Sequence, residues 1–408
     1  YRVNYIPQGN KKVSIVIPSK DNVDMLSRCV ESICRLTKYK NYEIIIVDNG
    51  SNDRNKADYD NLCVKYNCRY IYEPAPFNFS GMCNTGADNA SGEYLLFLND
   101  DIEILDGEWL ERMLGQAQLD YAGAVGAKLL YPTSGLIQHI GVINILNGPT
   151  HALAGFSDEI IHYFGRNVLD YNYLAVTAAC LMIDREKFKA VGGFDESFAV
   201  TYNDIDLCMR LVEAGYYNVV RNDVVLYHYE SYSRGDDTVD EEKMKRLERE
   251  RNRLYDMHPL FAPGDNMDPY YNRFLAQTNN DFSYNYDLQC LPANRYNIKK
   301  PSDYRESDRV VVNIDSLSAG SAIKVNGWGY VKGSMAKNFK KARILVFDND
   351  TVYEFDTNKV YRPDVSANPE YKRMAMTGFC CESADCLDKN KKYRIAVSYG
   401  RRIKYIAK

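Results

Sequence analysis

Three short, unbroken apolar runs constrain this chain more than any other feature. Residues 12–17 (KVSIVI) stop at Pro18. Residues 42–47 (YEIIIV) stop at Asp48, and 94–98 (YLLFL) stop at Asn99-Asp100-Asp101. Continuous runs of this length, rich in β-branched residues, suit strands covered on both faces, as in a parallel sheet. Between the first two, Met25, Leu26, Cys29, Val30, Ile33 and Leu36 recur at helical spacing, with Asp21 or Asn22 before them as a cap. A second helix is expected over 82–90. The resulting strand–helix alternation predicts a doubly wound α/β domain with a mostly parallel sheet.

In an open parallel sheet, ligands bind at the carboxyl ends of the strands. Here those ends are Pro18-Ser19-Lys20-Asp21, Asp48-Asn49-Gly50-Ser51 and Asn99-Asp100-Asp101, so carboxylates and small polar groups converge on one crevice. No GxGxxG follows the first strand and no GxxxxGK[ST] occurs, which excludes the dinucleotide fingerprint and the P-loop. Two adjacent carboxylates at a buried strand end repel each other, and a divalent cation relieves that cost. Oxygen ligands with positions left open for phosphate suit Mg2+ or Mn2+.

Further along, 174–183 (LAVTAACLMI) reads as a strand. A short amphipathic helix follows Asn203-Asp204 and stops at Gly215; 219–227 is a strand ending at His228, and 241–258 is a charged helix. Residues 258–304, rich in Asn, Pro, Tyr and Asp, read as an irregular connector. From about 305 short β-type runs recur, as in an all-β sandwich. The expected domains are therefore 1–257, a connector at 258–304, and 305–408.

The last 108 residues carry 20 Lys and Arg against 13 Asp and Glu, a net of +7, while the rest of the chain carries −11. This is either an ordinary basic surface or one attracted to anionic lipid or a polyanionic glycan. No nucleic-acid recognition motif accompanies it. The length and the balance of apolar and charged residues exclude a collagen, a disordered tail and a disulfide miniprotein. No apolar run reaches the roughly 18–20 residues that span a bilayer, and no secretory signal opens the chain. Eleven scattered Cys without CxxC spacing are expected to be reduced thiols in a cytoplasmic setting. The start at Tyr1 rather than Met is compatible with a piece of a longer protein. The 34 Tyr reflect either genome composition or a sugar-facing surface.

VSIVIPSKDN at 13–22, IIIVDNGSND at 44–53, ASGEYLLFLNDD at 90–101, GGFDESF at 192–198, NDIDLCMRL at 203–211 and HYESYSRG at 228–235 occur in this order. Together, over about 12–275, they resemble the family 2 nucleotide-sugar glycosyltransferases of GT-A fold, especially the bacterial branch acting on surface polysaccharides. The resemblance implies an inverting, metal-dependent transfer from a UDP- or dTDP-sugar to a hydroxyl of a growing glycan or lipid-linked glycan at the inner face of the plasma membrane. It implies Asp48 as base-binding residue, with Pro18 and Lys20 lining the base pocket. Asp101 and His228 would be metal ligands, and Asp100 a ribose or outer partner. Arg234 would lie in a loop over the diphosphate. Asp204 would be the catalytic base, although Asn203 replaces the acid that usually precedes it.

Residues 305–408 look like β-sandwich modules appended to bacterial glycosyltransferases, through Gly327-Trp328, the run 362–365 and Gly378-Phe379. That implies a packing, dimerising or glycan-holding role, with a homodimer and peripheral membrane contact as expected partners. Two competing readings are an inactive sugar-nucleotide or glycan-binding protein and a nucleotidyltransferase. Outside the site, His139, His151, Trp109, Trp328 and Cys208 are expected to be structural. Glu196 is a candidate sugar contact, and Gly192-Gly193 could let backbone approach a sugar closely.

Overall fold

A computed structural model describes the chain except residues 1–2, 230–240, 264–267, 273, 285–295, 334–340, 361, 363–364, 366–370, 372–376, 384–386 and 408, and the side chains of 241–244. Two compact units are present, Tyr1–Tyr284 and Asn285–Lys408.

The first unit begins β1 (Val13–Ser19), α1 (Val23–Leu36), β2 (Tyr42–Asp48), α2 (Asp53–Tyr66), β3 (Arg69–Tyr72), α3 (Phe79–Asp88) and β4 (Tyr94–Leu98). β3, β2, β1 and β4 lie side by side in that order, all parallel. β1 therefore lies at the point where the winding reverses, and its carboxyl end faces a crevice shared with β4. The apolar runs are continuous because the sheet is covered twice. Val16, Ile45, Leu95 and Phe97 face one core with α3, while Ile15, Ile17, Ile46 and Leu96 face another with α1. α3 starts earlier than the periodicity implies, because the Asn78 side chain accepts the Gly81 N–H and caps it. It also lies close to the sheet: a Cβ on Gly86 would meet Val16 Cγ1 at 2.2 Å.

The chain continues with β5 (Ile102–Ile104), α4 (Trp109–Ala117), β6 (Ala122–Leu130), β7 (Ile137–His139), β8 (Val142–Ile145), β9 (Gly148–His151), β10 (Tyr171–Tyr173) and β11 (Cys180–Asp184). It then forms α5 (Arg185–Ala190), α6 (Asn203–Glu213), β12 (Tyr217–His228) and α7 (Glu241–Met257). β11 joins β4 antiparallel and links it to β6, β12 and β10. The mixed, mostly parallel-cored α/β sheet agrees with the fold expected from sequence. Two local readings change. The apolar run 174–183 is a strand only from Cys180, and α2 and β3 are additions. Trp109 is wholly buried among α4's neighbours, and Cys208 is buried on α6. Gly192 and Gly193 both adopt left-handed backbone in the turn after α5.

Residues 258–284, which composition marks as the start of a connector, belong to the first unit. Phe261, Tyr271, Leu275 and Phe282 enter the α3-side core, and Asp268 accepts the Asn144 N–H. The second unit is a two-sheet β sandwich. Strands at 343–348, 351–356 and 394–399 in one sheet face 310–319, 323–331 and 378–382 in the other. Val310, Val325, Ile344, Val346, Phe355 and Val397 fill the space between. Residues 296–299 add an edge strand to the first of these sheets. Trp328 is partly buried in a small cluster with Tyr330, Val365 and Tyr371. No disulfide joins the nine described cysteines. Among the described residues no helix is long and apolar enough to cross a membrane.

One polar tie holds α6 against the end of α7. Asp206, wholly buried, accepts from Arg210 Nε at 3.1 Å and lies 3.0 Å from His258 Nε2, while His258 Nδ1 lies 3.0 Å from Glu213. Burial works against a charge on His258, but the hydrogen bonds to Asp206 and Glu213 outweigh it and hold its pKa above the ordinary value. The stabilisation is complete below the unfolded value of ~6.5. It is lost as pH rises through the higher folded value. In melting experiments, the gap between wild type and His258→Gln is expected to be widest near pH ~6 and to narrow as the solution becomes alkaline; a gap that widens with pH would contradict this tie.

Candidate functional site

The ends of β1, β2 and β4 form a connected polar surface. Tyr59 Oη accepts the Asn22 N–H at 2.9 Å and, because the single Ser19 hydroxyl proton goes to Asp100, donates to Ser19 Oγ at 2.7 Å. Ser19 then donates to Asp100 Oδ2 at 2.6 Å. Burial pushes the Tyr59 phenol up to about 12, so it stays protonated. Pro18 is buried in the strand and Lys20 is exposed just beyond it.

Asp48 is wholly buried at the end of β2. Its Oδ1 accepts from the Ser51 N–H at 2.9 Å and the Ser51 hydroxyl at 2.8 Å, and its Oδ2 accepts from Tyr70 Oη at 2.5 Å. Burial, then the bond to Asp48, drives the Tyr70 phenol upward. Both carboxylate oxygens of Asp48 are therefore already engaged from within the fold.

β5 turns back from β4 and pairs antiparallel with the end of β12, with His228 opposite Ile102. The Tyr229 N–H donates to the Asp101 carbonyl. This pairing carries His228 Nε2 to 3.0 Å from Asp101 Oδ1. Both side chains are about a tenth exposed. Two amides define the imidazole. Gln138 Oε1, an acceptor, lies 2.7 Å from Nδ1, and Asn99 Nδ2, a donor, lies 3.3 Å from Nε2. Gln138 thus calls for a proton on Nδ1, and in the neutral ring the Nε2 lone pair then faces the Asp101 carboxylate. Asp101 Oδ1 is buried with no hydrogen bond.

Two acceptors opposed in a buried place are what a cation corrects. A carboxylate oxygen and an imidazole nitrogen are an acceptable donor set for Mn2+ or Mg2+, with most positions left for water and phosphate oxygens. The residues present fit such an ion as half of a site completed by ligand. Among the described residues no group of three His, Cys, Asp or Glu forms a full cage.

Asp204 lies in the first turn of α6, next to a cavity of about 360 Å3 that Asn99, His151, Thr177, Ala178, Tyr202 and Leu247 also line. Its Oδ2 accepts the Ala178 N–H at 3.0 Å and its Oδ1 accepts the Ile205 N–H at 2.9 Å. Two backbone donors thus anchor the carboxylate at the start of the helix. Asn203 lines the same cavity, and its Oδ1 accepts the Asp204 N–H. Asn99 belongs to both places: its amide reaches His228, and it lines the cavity of Asp204.

His139 is wholly buried. Its Nε2 accepts the Thr177 N–H at 3.4 Å and its Nδ1 lies 3.2 Å from His151 Nδ1. Burial, then His151 and His228, push its pKa well below the ordinary value. His139 is structural, whereas His151 lines the cavity. Glu196 is exposed and accepts from Asn84 Nδ2 at 3.1 Å. Arg234 lies outside the described residues.

The structure thus brings Asp101 to His228, Asp100 to Ser19, and Asp204 to a cavity that Asn99 shares. Sequence reading missed Gln138, Tyr59 and Tyr70, which only the tertiary fold brings to these groups.

Residues 14–192 match glycosyl transferase family 2. Over 295 residues, 71% of this chain, the sequence is 39% identical to an uncharacterized protein, y4gI, of Sinorhizobium fredii, covering 32% of that protein. Over 285 residues, 69% of this chain, it is 36% identical to the O-antigen biosynthesis protein RfbC of Myxococcus xanthus, covering 22% of it. The chain thus spans between about a fifth and a third of the length of these curated relatives. Among solved structures, it is similar to the mannosyltransferase PcManGT from Pyrobaculum calidifontis in complex with GDP-Man and Mn2+. That similarity has 15% identity and a TM-score of 0.44, and covers 57% of this chain and 60% of the other.

The Asp48 arrangement can be tested apart from any activity. Tyr70→Phe leaves a buried carboxylate oxygen without its donor, a loss of about 1–3 kcal/mol. Urea unfolding should show that loss, and unchanged stability would mean that Tyr70 does not satisfy Asp48.

Proposed function

The chain carries a family 2 glycosyl transferase domain, and from that premise we propose that it is an inverting glycosyltransferase. It moves a sugar from a UDP- or dTDP-sugar to a hydroxyl of a bacterial surface glycan. The observation that carries this reading is the separation of labour around Asn99. On one side lie Asp101 and His228, two acceptors suited to a cation. On the other lies Asp204, an anchored carboxylate beside a cavity.

A divalent cation held by Asp101 and His228 would supply neutralising charge for the diphosphate. Asp100, held by Ser19, is placed at the β1 and β4 ends, where the ribose of a nucleotide in the crevice would lie. Lys20 is exposed at the same rim. Asp204 is the general base. It takes the proton of the acceptor hydroxyl as that oxygen forms a bond to the anomeric carbon. The bond from that carbon to the diphosphate oxygen breaks on the opposite face, and its electron pair leaves with the nucleoside diphosphate. Displacement from the far side inverts the anomeric centre. The anchoring amides of Ala178 and Ile205 hold the carboxylate in place without protonating it. The similarity to a protein named for O-antigen biosynthesis supports a surface glycan as acceptor.

The first experiment is a melting screen against nucleotide sugars with Mn2+. A true donor at 100 times its dissociation constant should add about 2.7 kcal/mol. With that donor, Asp204→Asn should retain the thermal shift and lose transfer by roughly 10²–10⁴-fold, the usual contribution of a general base. Undiminished transfer by this variant would remove Asp204 from the role. Binding by wild type without any transfer or donor hydrolysis would instead favour an inactive binding protein.

A further inference from the structure

We propose that Gln138 is a positioning residue for the cation site, fixing His228 in the tautomer whose Nε2 lone pair faces Asp101. This rests on the metal-assisted reading given above. Neutral imidazole has two tautomers, and only the one protonated on Nδ1 leaves Nε2 free to ligate. Gln138 Oε1 cannot donate, so its 2.7 Å contact with Nδ1 selects that tautomer. The Asn99 amide, 3.3 Å from Nε2, agrees with it from the other side of the ring. The Nδ1 contact is buried, and β7, which carries Gln138, is held at the edge of β6. Partners of this kind orient a ligating histidine and raise its basicity, and their loss typically weakens metal binding 10–100-fold.

β7 is suited to this task because it serves two sites with consecutive residues. Side chains alternate faces along a strand. Gln138 reaches His228 while His139 reaches His151 beside the Asp204 cavity. The strand therefore spaces the cation site from the proton acceptor, and Gln138 is the member that acts on the cation.

The test uses the full chain, with Mn2+ and UDP as probes. Nitrogen-15 spectra of the His228 ring at mildly alkaline pH should show the Nδ1-protonated tautomer in wild type. Gln138→Leu should populate both tautomers and weaken Mn2+ binding in the presence of UDP roughly 10–100-fold, by titration calorimetry. Gln138→Glu retains an acceptor for Nδ1–H and should restore most of the affinity, which a merely structural role would not predict.

A wild-type ring protonated on Nε2 overturns the inference whether or not the variants fold. So does a folded Gln138→Leu with wild-type affinity. If wild type binds UDP identically with and without Mn2+, the metal-assisted reading falls first and the role of Gln138 falls with it.

Discussion

Asp101 Oδ1 and His228 Nε2 face each other at 3.0 Å, and in the neutral ring protonated on Nδ1 neither can donate to the other. A folded protein rarely leaves such a pair buried without a use for it. The arrangement is also not local. Asp101 follows β4, and His228 ends β12, 127 residues later in sequence. Their meeting depends on the short strand β5 reversing direction and pairing with the tail of β12. β12 is long enough to pair with β6 along its length and with β5 at its end. The register slips between Arg221 and Val225, a bulge of the kind that bends a strand.

The parts of this fold legible in sequence are those whose burial is uniform. β1, β2 and β4 are covered on both faces, so nearly every position had to be apolar, and the runs announce themselves. α2 is the opposite case: only Tyr59, Leu62 and Cys63 of its fourteen residues are buried, so it carries almost no stripe. β3 lies at the sheet edge, half exposed, with four residues and no clean alternation. The run 174–183 misled because burial was mistaken for a strand. Residues 174–176 and 178–179 are apolar and enclosed, yet amides of this run leave the ladder to serve side chains: Thr177 N–H goes to His139 and Ala178 N–H to Asp204. Residues 258–284 misled in the other direction. Their polar composition hid four apolar side chains spaced far enough apart to look like a linker.

The candidate site was legible to the same degree. Carboxylates following strands are visible in a string of letters, and so is a histidine at the end of a strand. The partners that hold those groups are not. Nothing about Gln138 in LIQHIG marks it as touching a residue 90 positions away. Tyr59 and Tyr70 likewise look like ordinary members of a polar helix and an edge strand. They matter because the doubly wound topology stacks them behind the ends of β1 and β2, where Ser19 and Asp48 need donors.

Pairs of neighbouring groups divide their loyalties throughout this region, and the division is what makes the chemistry separable. Asp100 turns to Ser19 while Asp101 faces His228. Gln138 serves His228 while His139 serves His151. Thr177 and Ala178 split their amides between His139 and Asp204. A carboxylate close to a divalent cation is a poor base, because the cation stabilises its charge and lowers its affinity for a proton. As the proposed base, Asp204 would escape that penalty only with a cation held elsewhere. Its anchors come from the loop before β11 and from its own helix, whereas the candidate ligands come from β12 and from the segment following β4. The backbone that sets the proposed base and the backbone that sets the candidate cation site are therefore different, and Asn99 is the side chain that bounds both.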